Sequence, residues 1–130
     1  MNTRRIVKTL LIFIVILAVV SASLVAWLSR GLKEVGQETV APIVFSDLED
    51  GTYVGMYDRY RWTCEVEVTV ENGRIVAIKL LRDHRMPVDV TSAVLFSRIK
   101  EADSLDVDVV AGATVSSIAY LKAVEDALTE

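Results

Sequence analysis

Trp62–Leu81 reads WTCEVEVTVENGRIVAIKLL, and its pattern decides the fold. Trp62, Cys64, Val66, Val68 and Val70 alternate with Thr63, Glu65, Glu67 and Thr69. A period of two places the apolar set on one face of a strand and the polar set on the other. Asn72-Gly73 follows, a pair whose residues both tolerate positive φ and so close a two-residue hairpin. Arg74–Leu81 then returns as the partner strand. Upstream, Gly51-Thr-Tyr-Val-Gly-Met-Tyr57 reads as a further strand, so residues 51–82 are expected to form an antiparallel meander.

Downstream the period changes. Residues 83–89, DHRMPVD, form a polar loop containing Pro87. A helix is expected from about Val90 to Ala102, with Val94, Leu95, Arg98, Ile99 and Ala102 on neighbouring positions. Asp103–Asp108 is a short acidic connector with room for an edge strand. The last helix spans about Val115 to Leu128. Ile118, Leu121, Val124 and Leu128 mark its buried stripe, and Lys122, Glu125 and Asp126 are expected to face water. The fold class is therefore α+β: a small antiparallel sheet packed with about two helices.

The N-terminus is of another kind. Thr9–Leu28 carries no charge, and roughly 20 apolar residues suffice to cross about 30 Å of hydrocarbon. Residues 1–30 are thus expected to be a transmembrane anchor, with Trp27 near one interface. Arg4, Arg5 and Lys8 precede the run, which predicts a cytoplasmic N-terminus and an extracytoplasmic remainder. The alternative is a cleaved signal peptide ending near Val20-Ser21-Ala22, although the run exceeds the usual signal core of about 7–15 residues. Gly31, Gly36 and Pro42 break up residues 31–46, which predicts an unpacked juxtamembrane stalk. Residues 47–130 are left as the folded domain.

Composition excludes several functions. Residues 41–130 hold nine Lys or Arg against sixteen Asp or Glu, a net charge of −7. An acidic domain lacking a basic stripe is unsuited to nucleic acid. Cys64 is the only cysteine, so no internal disulfide or cysteine metal cluster is possible, and it reads as a small core residue. His84, the only histidine, lies in the polar loop and is expected to be solvated; one Cys and one His do not build a nucleophile–base set.

The chemistry-bearing stretch is Asp108-Val-Val-Ala-Gly112-Ala113-Thr114-Val-Ser116-Ser117. It is a small-residue turn feeding a helix N-terminus, where exposed N–H groups and the helix dipole form an anion site. Thr114, Ser116 and Ser117 are all candidate N-caps. Taken alone, Thr114 is most simply a cap.

The order of these residues resembles the FMN-binding domain family, which includes the flavin-carrying subunits of the sodium-pumping NADH:quinone reductase and of Rnf-type complexes. The family signature is Asp-x-x-Ser/Thr-Gly-Ala-Thr, matched here by Asp108, Gly112, Ala113 and Thr114, with Ala111 where Ser or Thr is usual. The resemblance runs over about residues 49–128, through Asp50-Gly51-Thr52-Tyr53-Val54-Gly55, the meander and the closing helix. It implies FMN joined to Thr114 as a phosphoester by an FMN transferase. It also implies cofactor contacts at Gly112, Ala113, Asp108, Ser116 and Ser117, and electron exchange with membrane partners. A family loop that approaches the flavin corresponds to Arg85-Met86-Pro87-Val88 and keeps only the proline. The expected role is an electron carrier rather than an enzyme with its own substrate. The alternatives are a membrane-tethered module that binds FMN or another anion noncovalently, as a sensor, and a purely structural subunit. Tyr53, Tyr57, Tyr60 and Trp62 read first as strand residues of the core or edges, with stacking on the flavin ring as the alternative.

Overall fold

The computed structural model describes residues 2–85 and 90–129, and the chain divides into two compact units, Met1–Arg30 and Gly31–Glu130. In the first unit α1 spans Thr3–Leu28 as one continuous helix of 26 residues. At about 1.5 Å per residue it reaches roughly 39 Å, more than a bilayer core requires. Its hydroxyls are satisfied within the helix: Thr9 Oγ1 donates to the Arg5 carbonyl at 2.9 Å and Ser21 Oγ to the Leu17 carbonyl at 2.8 Å. Two hydroxyls of the apolar run are thus satisfied without water, and the helix is long and apolar enough to serve as a single-pass anchor.

In the second unit β1 (Gly51–Arg59), β2 (Trp62–Glu71) and β3 (Arg74–Arg82) form an antiparallel sheet in that order. The expected meander is present. Asn72 and Gly73 adopt φ 53° and 71°, the left-handed pair that matches the twist of a two-residue hairpin. The first hairpin is as tight: Arg59 pairs with Trp62, leaving Tyr60 (φ 56°) and Arg61 as the loop. Trp62, Cys64, Val66, Val68 and Val70 are all buried, as the alternation requires.

Two helices complete the fold, α3 (Thr91–Ala102) and α4 (Thr114–Thr129). The stripe Ile118, Leu121, Val124 and Leu128 of α4 is buried, and Ala119, Tyr120, Ala123 and Ala127 widen it. Small residues at 119, 123 and 127 let the helix approach the sheet closely. The approach is tightest at Gly55, where an added Cβ would collide with the Ala123 carbonyl and the Ala127 amide. Lys122, Glu125 and Asp126 are half-buried rather than solvated. Lys122 Nζ pairs with Glu125 Oε2 at 2.9 Å, and Asp126 Oδ2 accepts the Met56 N–H at 2.8 Å on the outer rim of β1.

Two segments also differ from expectation. Asp103–Asp108 holds no strand; Asp103 takes a left-handed conformation that ends α3, and Leu105 is buried. Residues 31–46 are not a stalk but part of the folded unit. A short helix α2 (Leu32–Gly36) packs on α4, Val35 is fully buried, and Phe45 is buried in a 3-10 turn, Phe45–Asp47. The Tyr57 hydroxyl donates to Glu38 Oε1 at 3.0 Å and Lys122 Nζ to the Thr39 carbonyl at 3.5 Å. Glycine and proline break helices, but they do not stop isolated apolar residues from finding a core.

Candidate functional site

The small-residue stretch before α4 is an ordered loop. Arg98, on α3, donates through Nη1 to the Asp108 carbonyl at 2.8 Å and the Val109 carbonyl at 3.1 Å. The Ala113 N–H donates to the Val110 carbonyl at 3.0 Å, closing a turn in which Gly112 has φ 78°. That left-handed geometry suits glycine, and an added Cβ at Gly112 would meet nothing within 4 Å, so the turn opens to solvent.

The three hydroxyls at the helix start have different surroundings. Ser117 is fully buried; its Oγ donates to the Ala113 carbonyl at 2.7 Å and accepts the Val110 N–H at 3.0 Å. It ties the first turn of α4 to the loop. Ser116 is also buried, and its Oγ lies 3.2 Å from His84 Nε2 in a hydrogen bond. Thr114 is exposed, and its hydroxyl has no partner among the described residues. The first intrahelical bond runs from the Ser117 N–H to the Ala113 carbonyl. The N–H groups of Thr114, Val115 and Ser116 precede it and are left as donors at the positive end of the helix.

His84 corrects the expectation of a solvated side chain: its imidazole is 2% exposed. It sits just past β3, its ring 5.2 Å from that of Tyr120 on α4. Asp83 organises this floor by accepting the Tyr120 hydroxyl at 2.6 Å and the His84 backbone N–H at 2.8 Å through Oδ1. His84 Nδ1 lies 3.1 Å from the same oxygen, but out of line for a hydrogen bond, and is unpartnered. Burial pushes the imidazole below its usual pKa; Asp83 opposes this and Arg61 adds to it. Burial likewise raises the Tyr120 phenol, helped by its bond to Asp83. The exposed Asp83 and the buried His84 and Ser116 thus form a chain of contacts bracing the start of α4. Without an in-line bond to Nδ1 the imidazole is not oriented as a base. Cys64 is no alternative nucleophile: burial pushes its thiol up to about 12, and its Sγ lies 3.6 Å from the Ala119 carbonyl.

A depression of about 410 Å³, lined by Leu32, Arg61, Trp62, Gly112, Ala113, Thr114, Val115 and Ser116, lies at this helix end. The fold brings Gly112, Ala113, Thr114 and Ser116 to one surface, with Ser117 buried beneath. It does not bring Asp108 there. Asp108 lies in a separate depression with Arg98, Glu101 and Asp106. Of the aromatic candidates, Trp62 borders the Thr114 depression; Tyr57 belongs to the core, and the Tyr60 ring packs where a Gly31 side chain would stand. Arg61, Leu32, Arg98 and the buried His84 were not singled out from sequence as parts of the site. Arg61 and Leu32 arrive through long-range packing, for which no local pattern exists. The loop positions 86–88 fall outside the described residues, and Arg85 does not line the depression.

A family model described as FMN-binding domain matches residues 60–129, from the first hairpin to the end of α4. No curated protein matches the chain.

Proposed function

The chain belongs to the FMN-binding domain family, and on that premise we propose that it carries FMN as a phosphoester on Thr114, faces the extracytoplasmic side of a membrane, and relays electrons. The observation that carries the attachment point is the division of labour among three hydroxyls. Those of Ser116 and Ser117 are buried and engaged, whereas that of Thr114 is exposed and unengaged.

The residues present fit a phosphate-bearing cofactor. Three backbone N–H groups at a helix N-terminus hold an anion without a basic side chain. The depression, at about 410 Å³, falls within the roughly 300–1,000 Å³ of small-molecule sites. Bound here, FMN supplies one- and two-electron redox chemistry. The protein's own part is to present Thr114 Oγ on an open turn, receive the phosphate at the Thr114, Val115 and Ser116 amides, and keep the first turn rigid through Ser117. On attachment the Thr114 Oγ–P bond forms as the FMN transferase breaks the phosphoanhydride bond of a flavin dinucleotide donor. The nucleoside monophosphate leaves with the hydroxyl proton, and the protein gains the mass of FMN less one water. The orientation rests on Arg4, Arg5 and Lys8, which precede α1. The exchange partners are other membrane redox proteins.

Full-length protein co-produced with a flavin transferase tests this. Peptide mass spectrometry is expected to find FMN less one water on Thr114, and Thr114→Ala to abolish in-gel flavin fluorescence while leaving circular dichroism largely unchanged. Flavin released on denaturation would instead mean noncovalent binding. Covalent flavin mapped to either serine would overturn the assignment. Protease added to right-side-out vesicles should digest the Gly31–Glu130 unit; full protection would reverse the orientation.

A further inference from the structure

Among the described residues, Arg61 is the one charged side chain lining the Thr114 depression. It sits at the second position of the Tyr60–Arg61 hairpin loop, and its guanidinium carbon lies 4.6 Å from the Trp62 ring centroid. That is a cation–π distance, and the stack limits the freedom of an otherwise flexible side chain. Trp62 itself is 3% exposed and fixed in the core. The cation is therefore mounted on an immobile plate at the rim of the site. The domain around it is acidic, yet Arg61 forms no ion pair among the described residues. Its positive charge also reaches the buried His84, the hydrogen-bond partner of Ser116, and opposes its protonation.

We infer that Arg61, seated on Trp62, is a binding residue of the flavin site whose guanidinium offsets the negative charge of the flavin held on Thr114. The inference rests on the attachment proposed above. The helix amides already face the phosphate, so the guanidinium serves chiefly the charge that appears on reduction. Uptake of two electrons and one proton leaves the ring with one negative charge. A fixed cation beside it favours that form and raises the midpoint potential.

The test uses full-length protein co-produced with the flavin transferase and purified in detergent, with loading at Thr114 measured by mass spectrometry. Wild type, Arg61→Gln and Arg61→Lys are titrated at one pH with dithionite against a reference dye, dithionite being the electron donor. Arg61→Gln should move the oxidised-to-reduced ratio at the wild-type midpoint roughly tenfold toward oxidised, about 30 mV for a two-electron couple. Arg61→Lys should recover most of the difference. Loss of loading in Arg61→Gln but not in Arg61→Lys would also support a charge acting on the flavin. An unchanged potential in fully loaded Arg61→Gln would overturn the inference, as would loss of loading in both variants, which would make Arg61 a docking residue for the transferase. Absence of flavin from Thr114 in wild type would overturn the underlying attachment instead.

Discussion

Ser117→Ala is the substitution whose cost the structure lets one work out. The Ser117 hydroxyl makes two hydrogen bonds at a fully buried position, and its loss treats the two partners differently. The Ala113 carbonyl keeps the Ser117 backbone N–H at 2.9 Å. The Val110 N–H has no other acceptor and is stranded in a half-buried loop. An orphaned donor costs about 1–3 kcal/mol, with the lower half of that range fitting a partly exposed group. Alanine's better helix propensity returns roughly 0.5 kcal/mol or less. The balance is about 1 kcal/mol, or roughly 4–8 °C in Tm for a domain of this size. Thermal unfolding of the detergent-solubilised full chain, followed by near-ultraviolet circular dichroism, measures it. The loop before Thr114 loosens as well, so flavin loading under limiting transferase should slow while the final product still maps to Thr114. A Tm within 1 °C of wild type would refute the reasoning, because it would mean that the loop is not held by this hydroxyl.

Gly55→Ala should destabilise by about 1–3 kcal/mol or more, because a methyl there drives into α4 backbone rather than a movable side chain; denaturant unfolding would show it as a lower midpoint, and an unchanged midpoint would contradict the close approach. His84 makes stability depend on pH. Its folded pKa is depressed, so the unfolded chain takes up a proton first: stability should fall as pH drops below about 6.5 and level off beneath the folded pKa. His84→Gln should flatten that slope in urea titrations at several pH values, and an equally steep slope would assign the dependence to other groups. Asp108→Ala should leave folding intact, since the carboxylate is exposed and only the backbone carbonyl is held by Arg98; it should slow flavin loading, and unchanged loading under limiting transferase would remove the acidic position from the recognition signal.

The sheet was legible in the sequence because its determinants are local. Strict alternation from Trp62 to Val70 determines the buried face of β2, and the Asn72-Gly73 turn sets the first pairs of the hairpin, Glu71 with Arg74 and Val70 with Ile75. The register shifts farther along, at Thr69/Val70 and Glu65/Val66, left no local signal. The same holds for α4, whose stripe repeats over several turns. What escaped was non-local. Val35 and Phe45 carry no periodicity, so their burial depends on a sheet and helix they touch only after folding. His84 stands in a polar stretch, and only the docking of Tyr120 and Ser116 over it takes it out of water. For the candidate site, capping rules treat the three hydroxyls alike, and only the family resemblance singled out Thr114. What the tertiary structure adds is that the hydroxyls of Ser116 and Ser117 are already engaged. Arg61 was illegible for the same reason: it is some fifty residues from Thr114 and reaches it through the first hairpin.

The carboxylate of Asp126 on the Met56 amide has a consequence for crowding. A chain anchored in a membrane meets its neighbours side by side in two dimensions, the arrangement in which bare strand edges zip into polymers. An incoming strand at β1 would have to displace an anion from the amide it needs and accept that anion beside its own carbonyls. At Met56 the β1 rim is thereby guarded electrostatically against strand addition.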